Sequence, residues 1–205
     1  MRSLSVNLSG RVKNFNLPKN QPLLPLFEAV VNSIHAIEER RLSEPDFTGR
    51  VTINISREKQ TSIPGMIEIT PIETFEIIDN GVGFNEANFE SFMESDSTYK
   101  ETYGGKGVGR FSWLKAFEKV EVESIYTDNG EYVQRRFDFF LKQKGFNDTL
   151  VDAPTATANR TAIRLIHCIP PYKENLPKKG ETVAMRIYSI VLYTLFLQVA
   201  PRLTL

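Results

Sequence analysis

This chain has a single cysteine, no net charge and no apolar stretch at residues 1–7. Cys168 is the only cysteine among 205 residues, so an intrachain disulfide framework is excluded and a reducing compartment is favoured. The 25 basic residues balance the 25 acidic ones, so the overall charge does not indicate a nucleic-acid partner. Residues 1–7 lack the apolar core of a signal peptide. We therefore expect a cytoplasmic protein.

A long hydrophobic run is also missing. The most apolar stretch, Ile187–Ala200, is shorter than the ~20 residues that a membrane-spanning helix needs. It is also interrupted by Ser189, Thr194 and Gln198. The pattern predicts a helix of the core or of an interface, and no membrane association.

The length fits one large domain, and no internal repeat or low-complexity tract divides the chain. Residues 1–21 are polar with weak alternation, which predicts an N-terminal arm or an edge strand. Residues 22–168 contain most of the periodic segments and predict the main domain. Residues 169–205 predict a C-terminal helical segment, which we expect to begin a connection to a downstream domain absent from this chain.

Hydrophobic periodicity predicts an α+β fold. Helical spacing of apolar residues and strict alternation distinguish the two kinds of element, and Asn129-Gly130 predicts a hairpin turn. The predicted helices are 26–41, 86–93, 110–117 and 182–199, and the predicted strands are 51–55, 67–70, 74–78, 120–126, 132–140 and 161–167. This order predicts a two-layer sandwich in which helices cover one face of a mixed, mostly antiparallel sheet.

A carboxylate and an amide recur on one face of the first predicted helix. Glu28, Asn32 and His35 are spaced i, i+4 and i+7, so they share a face that borders the apolar stripe. An amide oxygen can ligate Mg²⁺, and a carboxylate can orient and deprotonate an attacking water. The same triplet also fits an ordinary amphipathic helix with polar neighbours.

Two glycine loops follow. Asp79-Asn80-Gly81-Val82-Gly83-Phe84 comes directly after an apolar strand, where a carboxylate could accept a hydrogen bond from the exocyclic amine of adenine. Taken alone, it is also a common turn sequence. The second loop, residues 104–111, leads into a helix, and its backbone N–H groups could bind an anion. It matches neither a Walker loop nor a Rossmann turn, and it could equally be a flexible loop.

The order of these three motifs resembles the GHKL ATPases, which include gyrase B, a heat-shock chaperone, MutL-type proteins and sensor histidine kinases. Residues 26–36 look like their N box, residues 79–84 like their first glycine box and residues 105–111 like their second. Arg160-Thr161 looks like a degenerate form of a later Gly-Thr pair. The resemblance covers roughly residues 22–166 and implies a Bergerat-fold ATP-binding domain.

The resemblance also implies roles for individual residues. Glu28 would be the general base, Asn32 would bind Mg²⁺, and Asp79 would read the adenine amine with help from Thr161. The remaining nucleotide-binding residues that it implies are Ala36, Gly81, Gly83, Phe84, Gly105, Lys106, Gly107, Val108, Gly109, Arg110 and Phe111. Ser97, Thr98 and Lys100 would belong to the ATP lid.

Two positions depart from the family pattern. His35 stands where many members carry Asp, and it could be a partner of Glu28 or a structural residue. Arg160 stands where a Gly is usual, which puts the adenine contact of that strand in question.

The leading hypothesis is a slow, Mg²⁺-dependent ATPase whose nucleotide state drives a conformational change or ATP-dependent homodimerisation. The first alternative is the catalytic domain of a protein histidine kinase. His35 is a poor phosphate acceptor because it lies inside the N box, which leaves His167 as the other histidine of the chain. The second alternative is a nucleotide-dependent interaction module without significant catalysis.

Overall fold

The computed structural model describes residues 8–58, 69–93, 109–141 and 147–199. The helices in these ranges are α1 (Leu8–Asn14), α2 (Leu24–Ser43), α3 (Glu86–Met93), α4 (Arg110–Ala116), α5 (Tyr172–Asn175) and α6 (Gly180–Val199). The strands are β1 (Val51–Arg57), β2 (Ile72–Asp79), β3 (Phe117–Asp128), β4 (Glu131–Phe139), β5 (Asn147–Asp152) and β6 (Arg160–Cys168). Within these ranges, no helix is long and apolar enough to cross a membrane.

The strands form one sheet in the order β1-β2-β6-β3-β4-β5. Every pairing among the described strands is antiparallel. The predicted α+β fold, with an antiparallel sheet and helices, is therefore confirmed. The parallel pair that a mixed sheet would require does not occur between strands that the structure describes.

The strand register aligns apolar side chains in rows across the inner face of the sheet. Side chains at these positions in β2, β6, β3 and β4 are almost completely buried against the helices. The two rows are Phe75–Leu165–Val120–Phe139 and Ile77–Ile163–Val122–Phe137. Each such side chain contributes about 1.5–3 kcal/mol by leaving water, so these rows hold the sheet against the helical layer.

A third row on the same face is polar. The register places Asp79, Thr161, Ser124 and Arg135 side by side across four strands. All four side chains are buried, between 0% and 4% exposed. Because buried polar groups are costly without partners, this row marks the end of the apolar core and the beginning of a polar site.

The outer face of the sheet carries paired charges. Arg164 donates to Glu76 at 2.8 Å, and Lys119 lies 2.7 Å from Asp138. Hydrogen bonding by Asn54, together with the nearby Arg164, lowers the pKa of the Glu76 carboxyl below its ordinary value. This face is solvated, so helices cover only one side of the sheet.

Helix α2 positions the inner face of the site. Pro25 stands in its first turn, where a missing N–H costs no helical hydrogen bond. Leu26, Ala29 and Val30 are buried at helical spacing. Their burial sets the rotation of α2 about its axis, so its polar residues lie on a different face. Trp113 of α4 donates its indole N–H to the carbonyl oxygen of Pro25 at 2.9 Å and thereby ties α4 to the start of α2.

The N-terminal segment differs from its prediction. We expected an arm or edge strand, but residues 8–14 form α1, and residues 1–7 lie outside the described ranges. Val12 is buried in the core, and Lys115 of α4 donates to the carbonyl oxygen of Lys13 at 2.8 Å. Packing against α4 therefore outweighs the weak alternation of the local sequence.

Three further details were predicted wrongly or missed. Ile69 and Thr70, which we expected in a strand, precede β2 and are not in it, and Ile67 lies outside the described residues. Strand β5 is polar, with exposed side chains, so alternation did not mark it. Helix α5 has only four residues, too few to show periodicity.

Candidate functional site

A pocket opens between α2, α3 and α4 and the adjacent ends of β2 and β6. Nine residues that the sequence predicted line it together: Glu28, Asn32, Ala36, Asp79, Gly83, Phe84, Gly109, Arg110 and Thr161. These residues come from four separate segments of the chain, so the fold brings the N box, the first glycine box and the start of α4 to one place.

Two predicted residues do not line this pocket. Gly81 packs behind Ala36, where a Cβ on residue 81 would lie 2.7 Å from that alanine's Cβ. Phe111 is 3% exposed and belongs to the core. Seven predicted residues, Ser97, Thr98, Lys100, Gly105, Lys106, Gly107 and Val108, lie outside the described residues.

One end of the pocket is formed by the first three turns of α2 and by α4. Glu28 and Asn32 both face the pocket, one helical turn apart. Gly109 lies so close to the Glu28 carboxyl that a Cβ at position 109 would displace that group from its position. Burial raises the pKa of Glu28 above its ordinary value. A carboxyl with a raised pKa is a better proton acceptor once it is ionised.

Arg110 closes the same end of the pocket. Its guanidinium donates a hydrogen bond to the carbonyl oxygen of Phe92 and lies 5.2 Å from the centre of that ring. The contact joins the start of α4 to the end of α3 across the pocket wall. Arg110 therefore brings a positive charge to the pocket wall, where an anionic group of a ligand would be stabilised.

Asp79 forms the opposite end. One carboxylate oxygen accepts a hydrogen bond from the Ser33 hydroxyl at 2.9 Å, and the other accepts one from the Gly81 N–H at 2.9 Å. Asp79 is 4% exposed and lines the pocket. Its orientation is thus set from both sides, and it presents an acceptor to a bound molecule.

The loop after Asp79 is held by the polar row. Gly83 has φ +84°, in the left-handed region that favours glycine. Phe84 N–H donates to the Ser124 hydroxyl at 2.9 Å, and that hydroxyl lies 2.9 Å from the Thr161 hydroxyl. Thr161 is therefore tied to the same loop that carries Asp79.

Arg135 clamps the far side of this loop from β4. Its guanidinium donates to the carbonyl oxygens of Phe84 at 3.2 Å and Asn85 at 3.3 Å, and it pairs with Glu86. It also stacks 4.3 Å from the centre of the Phe89 ring. These contacts fix the start of α3, whose later residues line the pocket.

We expect Arg135→Met to lower the midpoint of thermal unfolding by about 2–12 °C. The change leaves two partly buried carbonyl groups without their donor, which costs about 1–3 kcal/mol, and each kcal/mol lowers Tm by about 2–4 °C in a domain of this size. Arg136→Met is the matched control, because the neighbouring side chain lies on the outer face, is 59% exposed and pairs with Glu123. Equal shifts in the two variants, measured by scanning calorimetry, would contradict the clamp.

Sequence reasoning missed several residues of this site. Ser33 and Ser124 form hydrogen bonds to Asp79, Phe84 and Thr161, and Ser33 also lines the pocket; these pairings depend on how distant segments meet. Asn88 lines the pocket but carries no motif. The signal that could have found Ser33 is its position next to Asn32 on the helix face that turns toward the sheet.

A family model described as histidine kinase-, DNA gyrase B-, and HSP90-like ATPase matches residues 25–164. The chain belongs to this family. Among curated proteins, none matches the chain. The matched range runs from the first turn of α2 to β6 and includes both ends of the pocket. The chain therefore contains a GHKL-type ATP-binding domain.

The two departures from the family pattern take defined places in this ATP-binding domain. His35 is 8% exposed and lines the pocket. Arg160 lies 3.3 Å from Glu123 on the outer face of the sheet, while the next residue, Thr161, is on the inner face. The arginine side chain is therefore directed away from the pocket and leaves Thr161 in place.

Proposed function

We propose that this domain binds ATP in the pocket and hydrolyses it slowly in the presence of Mg²⁺, with Glu28 as the general base. The observation that carries the proposal is the arrangement of α2, which presents Glu28 and Asn32 to the same pocket as Asp79. Ala36 packs against Gly81, in the loop that follows Asp79, and it lies eight residues after Glu28, or about 12 Å along the helix. Asp79 would bind the adenine end, and Glu28 would act at the phosphate end.

In the proposed step, Glu28 accepts a proton from a water molecule as the water oxygen attacks the γ-phosphorus. A new P–O bond forms, and the bond from phosphorus to the bridging oxygen of ADP breaks with its electron pair remaining on ADP. The proton then leaves Glu28 for solvent, and ADP and phosphate are released. Burial of Glu28, which raises its pKa, supports this role.

The donor set of the pocket fits Mg²⁺. The described residues contain no group of three or more His, Cys, Asp or Glu side chains that could form a metal cage. Mg²⁺ is usually held by one or two protein ligands together with substrate phosphates and waters, and the amide oxygen of Asn32 can be such a ligand. When bound, the ion would neutralise phosphate charge.

The proposal includes coupling of the nucleotide state to a conformational change or to homodimerisation. Helices α3 and α4 both line the pocket, and residues 94–108 connect them. Occupation of the pocket would therefore act on both ends of this connection. Contacts from residues 105–108 to phosphates, a lid at Ser97, Thr98 and Lys100, and a role for a downstream domain stay predictions.

A phosphate-release assay tests the proposed function. We expect slow, linear release from ATP with MgCl₂ and none after the metal is chelated with EDTA, because the phosphates then lose their counter-ion. ATP binding without release at high protein concentration would support an interaction module instead. Acid-labile phosphate retained on the protein would support a histidine kinase, although His167 lies four residues along β6 from Ile163, which lines the pocket, or about 13 Å.

A further inference from the structure

Asn88 has a buried hydrogen-bond acceptor that no described residue satisfies. The side chain lines the pocket and is 7% exposed. Its carbonyl oxygen, Oδ1, accepts no hydrogen bond and is shielded from bulk water. An unsatisfied buried acceptor is energetically costly, so its presence in a binding pocket indicates a donor supplied by the ligand.

The rest of Asn88 is held firmly in place. Its backbone N–H donates to the Asn85 side chain at 2.9 Å, which caps the start of α3. Its amide nitrogen, Nδ2, donates to the Gly83 carbonyl oxygen at 3.3 Å and to the Glu39 carboxylate at 3.1 Å. Reversing the amide would place Oδ1 against these acceptors, so the partners determine which atom is left over.

Helix α2 shows which end of the pocket Asn88 occupies. Its partner Glu39 lies eleven residues after Glu28, or about 16 Å along the helix axis. Its other partner, Gly83, belongs to the loop that follows Asp79. Asn88 is therefore at the same end of the pocket as Asp79, far from the proposed site of phosphate chemistry. In the proposed binding mode the base of the nucleotide lies at this end.

The chemistry of adenine limits what can satisfy Oδ1. The 6-amino group is the hydrogen-bond donor of the adenine ring, and it carries two N–H bonds. In the proposed binding mode Asp79 accepts one of them, which leaves the second N–H without a partner. A guanine in the same place would direct its 6-oxo acceptor at the Asp79 carboxylate and at Asn88 Oδ1, so this pair of acceptors would select against guanine.

We propose that Asn88 is a base-specificity residue whose Oδ1 accepts a hydrogen bond from the 6-amino group of bound adenine, directly or through one water. The inference rests on the proposed binding of ATP in this pocket. Glu39 is then a positioning residue, because it holds the amide in the orientation that presents Oδ1.

The test compares ATP with purine riboside 5′-triphosphate, which differs by the missing 6-amino group. Dissociation constants are measured by calorimetry for the wild type and for Asn88→Leu, which keeps the branched shape of the side chain and removes the Oδ1 acceptor together with the Nδ2 donor. We expect ATP to bind about three- to tenfold more weakly to the variant, while purine riboside triphosphate changes by less than about twofold. Asn175→Leu on α5 is the control, because this amide lies outside the pocket and bonds to Pro171.

Equal losses for the two nucleotides, or no loss for either, would overturn the specificity role and leave ATP binding intact. If circular dichroism shows that Asn88→Leu does not fold, the same two affinities are measured for Glu39→Gln. We then expect a smaller loss of affinity, for ATP alone. A wild type that binds neither nucleotide would instead reject the proposed function, and the inference with it.

Discussion

Replacing Glu28 with Gln is expected to reduce ATP hydrolysis by about 10²–10⁴-fold while ATP binding changes by less than about twofold. The amide cannot accept a proton from water, and loss of a general base typically has this effect on the rate. The replacement keeps the size of the side chain, so the close packing of Gly109 against it is preserved. Phosphate release and calorimetric titration on the same preparation separate turnover from binding.

Glu38→Gln is the control for this result. Glu38 lies on the same helix but pairs with Arg41 at the surface, where both side chains are 43% exposed. It should hydrolyse ATP at the wild-type rate. Turnover of Glu28→Gln at the wild-type rate would show that another group, or solvent, takes the proton.

The pH dependence follows from the same carboxyl group. Burial raises the pKa of Glu28 above its ordinary value, so the base becomes protonated at a higher pH than an exposed glutamate would. The rate of hydrolysis should therefore be maximal above this raised pKa and should fall as the pH decreases through it. Because ATP binding does not require the ionised base, the nucleotide affinity should not follow the same curve.

Asp79→Asn is expected to weaken ATP binding by about 10- to 100-fold. Both oxygens of this buried carboxylate accept hydrogen bonds, from Ser33 and from the Gly81 N–H, and an amide can satisfy only one of them. It would also present an N–H to the adenine amine, so donor would face donor. Hydrogen bonds to charged groups contribute about 1.5–3 kcal/mol, which corresponds to this range of affinity.

Asp138→Asn is the matched control, because that carboxylate pairs with Lys119 on the outer face of the sheet. Near-ultraviolet circular dichroism of both variants checks that the core stays packed, since Asp79 adjoins the buried rows. An Asp79→Asn protein that is folded and binds ATP as tightly as the wild type would show that adenine binds elsewhere.

The features that sequence reasoning could predict are local ones. The spacing of Glu28 and Asn32 depends only on the helical repeat, and α2 contains both as expected. The Asn129-Gly130 turn needs left-handed backbone at both residues, which these residue types tolerate, and the structure has φ 48° and 88° there. Helix α3 occupies its predicted range for the same reason, since its period is visible within the segment.

The features that could not be predicted depend on how distant segments meet. The polar row exists only because β2, β6, β3 and β4 pair in one register, and a shift by one residue would turn Ser124 and Arg135 to the outer face. Arg135 and Arg136 are adjacent and of the same type, yet only the first is buried. The role of Asn88 depends likewise on Glu39, 49 residues away.

Trp113 is positioned so that its intrinsic fluorescence can report on the pocket. It is the only tryptophan of the chain, it is 1% exposed, and it lines the pocket, where it stacks on Phe92 at 6.2 Å. Indole emission is sensitive to neighbouring charge and polarity, and all of it comes from this single site. Nucleotide entry, metal dependence and release can therefore be followed by intrinsic fluorescence, without a dye and with every substitution described above.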